Sequence, residues 1–286
     1  MSNPEEIKTK LRKLEEIPTL PGFFARMMET IDSDKTSVGD LAHIIGEDPA
    51  LTAKVFKLAN SAFYGRFKKV ATMEQAVSTI GFNEIKTIAL SIGVFGAFSD
   101  RISKAMLEAF WVHALTSATT VRAIGDRDQE TSVEKVYFGA LLHDIGKLVL
   151  TMIVGDEYVS AMSNCEGAND LTTLRVEKDT FGVHHAQVGK WLSDRWHFPN
   201  ELVEVIAFHH QPHRPTLLRP RSVATVFVSD FISHNLHKEE IVIPDDDTRL
   251  SGSLSALGID EADIETIRSR VLRQEEKINE TFALVA

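Results

Sequence analysis

The stretch Phe138-Gly-Ala-Leu-Leu-His143-Asp144-Ile-Gly146-Lys147-Leu-Val-Leu150 decides how the chain is read. An apolar run long enough to be buried is interrupted by a histidine, an aspartate and then a lysine. Such groups are tolerated among leucines and valines when they pair with one another or hold a metal. A helix running from Val133 to Val154 puts His143 and Lys147 one turn apart on one face, with Asp144 beside them. Gly146 has no side chain and lets another group approach closely. The simpler alternative is a helix end whose polar groups face solvent, with Lys147 complementing the C-terminal dipole. The choice turns on whether further ligands occur elsewhere.

Outward from this stretch the chain reads as helix after helix. Ile7, Leu11, Leu14 and Ile17 form a stripe over Pro4–Ile17, and Pro18 and Pro21 separate it from a helix over Gly22–Ile31. Thr36 or Ser37 can cap a helix over Val38–Gly46, and Pro49 opens one reaching Ala62. Thr72 caps a helix ended by Gly81, and Asn83–Phe98 is apolar nearly all round. Further helices are expected over Lys104–Ile124, Thr172–Phe181, His185–Trp196, Pro199–Phe208, Arg221–Asn235 and Glu261–Phe282. Pro212 and Pro215 enforce a loop, and Ile241–Ser253, with Pro244 and its aspartate run, reads as a mobile surface loop. Period-two strand signals are almost absent, so the expected fold class is all-α. A polar break at Asp100–Lys104 suggests an N-terminal lobe over 1–103 and a second over 104–240. A loop and terminal helix over 241–286 follow.

Composition narrows the function classes. With 43% hydrophobic and 25% charged residues, the chain is that of a globular protein. A net charge of −10 and a pI near 5.6 argue against a general nucleic-acid or anionic-membrane binder. The single cysteine, Cys165, allows no intrachain disulfide and fits a reducing cytoplasm. Met1–Glu16 is charged throughout without a signal-peptide core, and the apolar stretch Thr87–Phe98 is too short to span a bilayer.

The histidines then supply what the opening stretch lacks. His113 sits on the helix before it, between Trp111 and Leu115. His184 and His185 open a helix, and His209 and His210 end one that is apolar through Val203, Val205, Ile206 and Phe208. Asp230 lies in Ala224-Thr-Val-Phe-Val-Ser-Asp-Phe-Ile232, an inhospitable place for a lone carboxylate. Any one of these is more simply a hydrogen-bonded core residue. Together they can converge on one site, with imidazole and carboxylate ligands suited to iron, manganese, zinc or nickel. His43, His197, His213, His234 and His237 are read as surface or loop residues.

His113, His143-Asp144, His185, His209-His210 and Asp230, in this order on successive helices, resemble the HD superfamily of metal-dependent phosphohydrolases. Upstream, Leu20-Pro21, Ile45-Gly-Glu-Asp-Pro49, Leu58-Ala-Asn-Ser-Ala-Phe-Tyr-Gly65 and Ala76-Val-Ser-Thr-Ile-Gly81 resemble the HDOD domain, and the likeness runs from Ile17 to Asn235. It implies two helical lobes with an HD-like core in the C-terminal one, and a bacterial signalling module that docks a protein partner. Many members have lost the ligands, whereas this chain keeps a nearly complete set. Carried over, His113, His143, Asp144 and Asp230 form a mononuclear core, while His185, His209 and His210 supply a second metal. Asp144 bridges, and Lys147 faces a phosphate. His185 is implied rather than His184, because it stands four residues before Gly189. Phe63-Tyr64 is read as core packing.

Two functions follow from the resemblance. One is a cytoplasmic regulatory module holding one or two divalent ions. The other is an active phosphohydrolase taking a nucleotide or other phosphoester, with Asp144 and Lys147 in catalytic roles. Gln211 stands where the related HD-GYP phosphodiesterases have glutamate and no Gly-Tyr-Pro follows, which argues against cyclic-di-GMP hydrolysis.

Overall fold

The computed structural model describes residues 5, 7, 9, 18–30, 36–61, 64, 69–125, 133–165 and 170–285. Among these the protein is all-helical, without a strand. Most of the Pro4–Ile17 stripe lies outside the described residues, as does Phe63. The chain forms two compact units: Thr19–Val112 with Gln274–Ala286, and Met1–Pro18 with His113–Arg273. The division thus falls between Val112 and His113 rather than at 103/104. The 241–273 segment belongs with the histidine-bearing unit, and the last residues return to the other.

The unit containing Thr19–Val112 begins with α1 (Gly22–Glu29), α2 (Val38–Gly46) and α3 (Pro49–Ala59). Ser37 and Asp40 close a capping box at the start of α2, and Asp48 accepts from the Ala50 and Leu51 amides at the start of α3. In α4 (Met73–Ile80) the box is made by Thr72 and Gln75. Gly81, at φ 106°, turns the chain directly into α5 (Phe82–Gly96), a conformation that glycine adopts without a Cβ penalty. Helix α5 is buried on nearly every side, as its composition predicted. Gly93 meets Phe24 of α1 so closely that a Cβ there would lie 2.8 Å from the ring. The terminal α16 (Glu275–Val285) packs on α3, and Lys277 pairs with Glu84 at 3.1 Å.

The division of units falls within α6 (Lys104–Gly125). Beyond it come α7 (Val133–Leu142), α8 (Ile145–Val154), α9 (Asp156–Ser163), α10 (Asp170–Phe181), α11 (His185–Arg195), α12 (Asn200–Phe208), α13 (Pro220–His234), α14 (Thr248–Leu257) and α15 (Glu261–Leu272). Three sequence expectations are corrected here. The helix expected over Val133–Val154 is broken at His143-Asp144, where Asp144 has φ −94° and ψ 9°. Both side chains therefore project from a turn instead of a continuous helical face. The expected loop over Ile241–Ser253 contains the start of α14, capped by Asp247, with Ile241, Leu250 and Leu254 in the core. The terminal helix expected over Glu261–Phe282 is two helices, α15 and α16, which belong to different units.

Val133–Val154 is long and apolar enough to cross a membrane by length and composition, yet 83% of its most apolar window is buried inside the protein. Its two halves pack on different partners, α7 against α12 and α8 against α11. The second contact brings two backbones into close approach. A Cβ on Gly146 would lie 1.9 Å from the His185 carbonyl oxygen and 2.7 Å from the Gly189 amide nitrogen. Glycine at both positions brings the His143-Asp144 turn within reach of His185.

Since backbone cannot move aside as a side-chain tip can, Gly146→Ala is expected to destabilise the protein by about 3 kcal/mol or more. Gly96→Ala, which meets nothing within 4 Å, serves as the control. Urea denaturation of both variants checks this, and equal midpoints would show that the α8–α11 contact is not close-packed.

Candidate metal centre

Each element delivers its polar side chains to one place. His113 comes from α6, His143 and Asp144 from the turn after α7, His185 from the first position of α11, His209 and His210 from the end of α12, and Asp230 from α13. All seven converge. His113 Nε2 lies 3.4 Å from His143 Nε2, and His185 Nε2 lies 3.3 and 2.9 Å from the Nε2 atoms of His209 and His210.

Asp144 stands between these two sets. Its Oδ2 is 3.4 Å from Nε2 of both His113 and His143, and its Oδ1 is 3.3 Å from His185 Nε2 and 3.8 Å from His209 Nε2. Asp230 Oδ1 is 3.1 Å from His113 Nε2 and 3.4 Å from His143 Nε2. Lys147 reaches back one turn to Asp144 Oδ2 at 2.5 Å.

The outer nitrogens explain why the inner ones converge. His143 Nδ1 lies 2.6 Å from the Ala140 carbonyl oxygen, and His209 Nδ1 lies 3.0 Å from that of Ile206. His185 Nδ1 lies 2.7 Å from Glu177 Oε2, and His210 Nδ1 lies 2.9 Å from Asp170 Oδ2. Carbonyl and carboxylate oxygens only accept, so each Nδ1 carries the hydrogen. In a neutral ring the Nε2 lone pair then faces inward, the tautomer that metal-binding histidines take. The lone pair of His185 Nε2, 2.9 and 3.3 Å from those of His210 and His209, is repelled by them, and Asp144 Oδ1 and Asp230 Oδ1, both buried, accept no hydrogen bond. A divalent cation among them relieves both defects, so the donor set fits one.

Electrostatics agrees with this. Burial acts to neutralise Asp144, but His143 and Lys147 outweigh it and hold its carboxyl well below the usual range. Asp230 is held down in the same way by His234, His113 and His143, again against burial. Burial opposes the charged form of His143 too, yet Asp144 and Asp230 raise it to about 10, so that in the apoprotein a proton supplies positive charge there. His209 is driven well below its usual value by burial and by His210 and His143, and burial likewise lowers His210. Both are neutral imidazoles, as ligation requires.

The structure also separates His184 from His185. His184 caps α11, its Nδ1 accepting from the Gln187 amide at 3.4 Å, while His185 points into the cluster.

Sequence reasoning missed the supporting residues. Glu177, fully buried on α10, accepts from Tyr158 Oη at 2.6 Å and from the His185 amide at 2.9 Å, besides the His185 ring. Burial would raise its pKa, but the His185 ring and these donors lower it to about 2, so the carboxylate is ionised near neutral pH. Asp170 is gripped in two-pronged fashion by Arg249, at 2.8 and 2.9 Å, and Arg249 also bonds Asp247 and the His210 carbonyl. Arg249 lay in the segment expected to be a loop, where its role gave no sequence signal. His234 is exposed, as expected from the sequence, but its ring centroid also stands 4.5 Å from that of His113. Its signal was available, since it follows Asp230 by one helical turn. His213 too is engaged, its Nε2 3.0 Å from the Arg249 carbonyl oxygen.

With this geometry in view, comparison with known proteins is direct. The HDOD domain model matches residues 17–212. The chain belongs to the HDOD family. Among solved structures, a protein of Marinobacter aquaeolei VT8, provisionally described as a signal transduction protein, superposes with TM-score 0.79 at 18% identity, covering 99% of this chain and 66% of that one. An HDOD domain protein of unknown function from Geobacter sulfurreducens gives 0.69 at 22% identity, covering 99% and 98%. A provisionally described phosphohydrolase of Shewanella amazonensis SB2B gives 0.71 at 22% identity, with 98% of each chain covered. An uncharacterized protein of Treponema pallidum (strain Nichols) is 24% identical over 235 residues, or 78% of this chain, which spans only 45% of that relative's length.

Removing the Glu177 carboxylate leaves three buried donors without their acceptor. Glu177→Ala is expected to destabilise the metal-free protein by about 3 kcal/mol, whereas Glu177→Gln, which keeps the shape and one acceptor, loses less. Chemical denaturation in the presence of chelator measures both; an unchanged Glu177→Ala midpoint would contradict the assigned role.

Proposed function

We propose that this HDOD protein is a cytoplasmic bacterial signalling module whose His113–Arg273 segment holds one or two divalent cations. The observation that carries the metal part is the inward convergence of the Nε2 atoms of His113, His143, His185 and His209 on two buried carboxylate oxygens that accept no hydrogen bond, with His210 Nε2 beside that of His185. The signalling part rests on the family, and a protein partner is its natural counterpart. Two ions would divide the ligands between His113, His143 and Asp230 on one side and His185, His209 and His210 on the other, with one Asp144 oxygen toward each. Mixed imidazole and carboxylate donors favour iron, manganese, zinc or nickel over magnesium or calcium.

One observation favours a second reading, phosphoester hydrolysis. Lys147, at the edge of the cluster with its side chain 17% exposed, keeps its proton because Asp144 outweighs the effect of burial. A bound divalent cation supplies Lewis acidity toward a phosphate and lowers the pKa of water. Asp144 would orient the ligand set, and the Lys147 ammonium would offset negative charge developing on phosphoryl oxygens. The substrate class on this reading is a nucleotide or other phosphoester. Cyclic-di-GMP is not proposed, because Gln211 replaces the glutamate of the related phosphodiesterases and no Gly-Tyr-Pro follows.

Elemental analysis of protein purified without chelator is expected to find one or two equivalents of a transition metal, with at least half lost in Asp144→Ala. Unchanged content in that variant would overturn the ligand assignment. The metal-loaded protein is then assayed on bis(p-nitrophenyl) phosphate and nucleotides beside Lys147→Ala. Turnover that falls by about 100-fold in the variant supports hydrolysis, while metal without turnover leaves the binding module.

A further inference from the structure

The polar residue that neither reading uses is His234. It ends α13, one turn beyond Asp230, so both side chains lie on one face of the helix. Its Nε2 is 3.4 Å from Asp230 Oδ1, the same oxygen that His113 and His143 approach at 3.1 and 3.4 Å. Three imidazoles thus surround one buried carboxylate oxygen that accepts no hydrogen bond. Ligand atoms of His113, Asp230 and His234 all lie within 4.8 Å of one another. An ordinary surface histidine paired with an aspartate would make that hydrogen bond, and this one does not.

Exposure separates His234 from the other donors. Its side chain is 57% exposed, whereas those of His113, Asp230 and His143 are 18%, 8% and 0% exposed. It therefore stands on the solvent side of the cluster, at the end of its helix.

We propose that His234 is a displaceable metal ligand that closes the solvent face of the His113–His143–Asp144–Asp230 half of the site. The inference rests on the metal-binding reading above. Metal sites that bind and hold are closed by protein ligands, while those that act on a substrate keep a position open. His234 sets which of these this half is: with the ring in, the cation is enclosed by protein donors; with the ring out, an exogenous anion takes its place. The incoming ligand is then a small anion of the phosphate class, competing with one imidazole.

The experiment uses Co²⁺ as probe on the full chain, by titration calorimetry and visible absorption, comparing the protein with His234→Ala and His234→Gln. The exposed position makes both variants expected to fold, and circular dichroism checks it. The expected result is that both bind cobalt with one equivalent weakened about tenfold or more, an altered d–d spectrum, and tighter binding of inorganic phosphate. Added imidazole should restore the spectrum of His234→Ala. Identical affinity, spectrum and phosphate binding in all three proteins would overturn the proposal while leaving the metal reading intact. Failure of the unmutated protein to bind cobalt, zinc or manganese would overturn both.

Discussion

Buried imidazoles and carboxylates crowded within a few ångströms repel unless positive charge lies among them, and the fold of the His113–Arg273 segment is arranged around that constraint. The Nδ1 atoms of His143, His185, His209 and His210 are each tied to a carbonyl or a carboxylate, which turns their inner nitrogens toward one another. An apoprotein relieves part of the repulsion by keeping a proton on His143, and a cation relieves it more completely. The arrangement is demanding because its donors come from five separate stretches of chain. Gly146 against the backbone of His185 and Gly189 is what lets the turn carrying Asp144 approach the second set of histidines.

Support for the ligands is unequal, and the difference bears on function. His143 and His209 are oriented by backbone carbonyls one turn away, so their geometry is as rigid as the helices that carry them. His185 depends on Glu177, which is itself locked by Tyr158. His210 depends on Asp170, and Asp170 on Arg249, a residue beyond the stretch matched by the HDOD model. The donor set on that side is thus tied to the start of α14, whereas the His113–His143 side opens toward His234 and solvent. Asp144, with one oxygen toward each side, joins the two.

Much of this was legible in the sequence because capping and periodicity are local. Ser37, Thr72, Pro49 and Gly81 marked helix ends that the structure reproduces to within a residue or two. The convergence of the histidines was legible as a list of polar interruptions in apolar helices. What was not fixed by the sequence was the break at His143-Asp144, since polar residues alone do not stop a helix and the turn is favoured by tertiary contacts. Ile241–Ser253 misled for the opposite reason: Pro244 and the aspartates read as a loop, yet Asp247 is the cap of α14 and Leu250 fills the core. Glu177, Asp170 and Arg249 sit on helix surfaces that look solvated until their partners on other helices are placed beside them.

The central claim, that these imidazoles hold cations through their inward nitrogens, is tested most directly by anomalous diffraction at a metal absorption edge from crystals of the metal-loaded protein. The account predicts one or two anomalous peaks inside the cluster, beside Asp144, within bonding distance of Nε2 atoms and of no Nδ1 atom. Peaks confined to exposed histidines such as His43, or a cluster without any peak in crystals that contain metal, would contradict it.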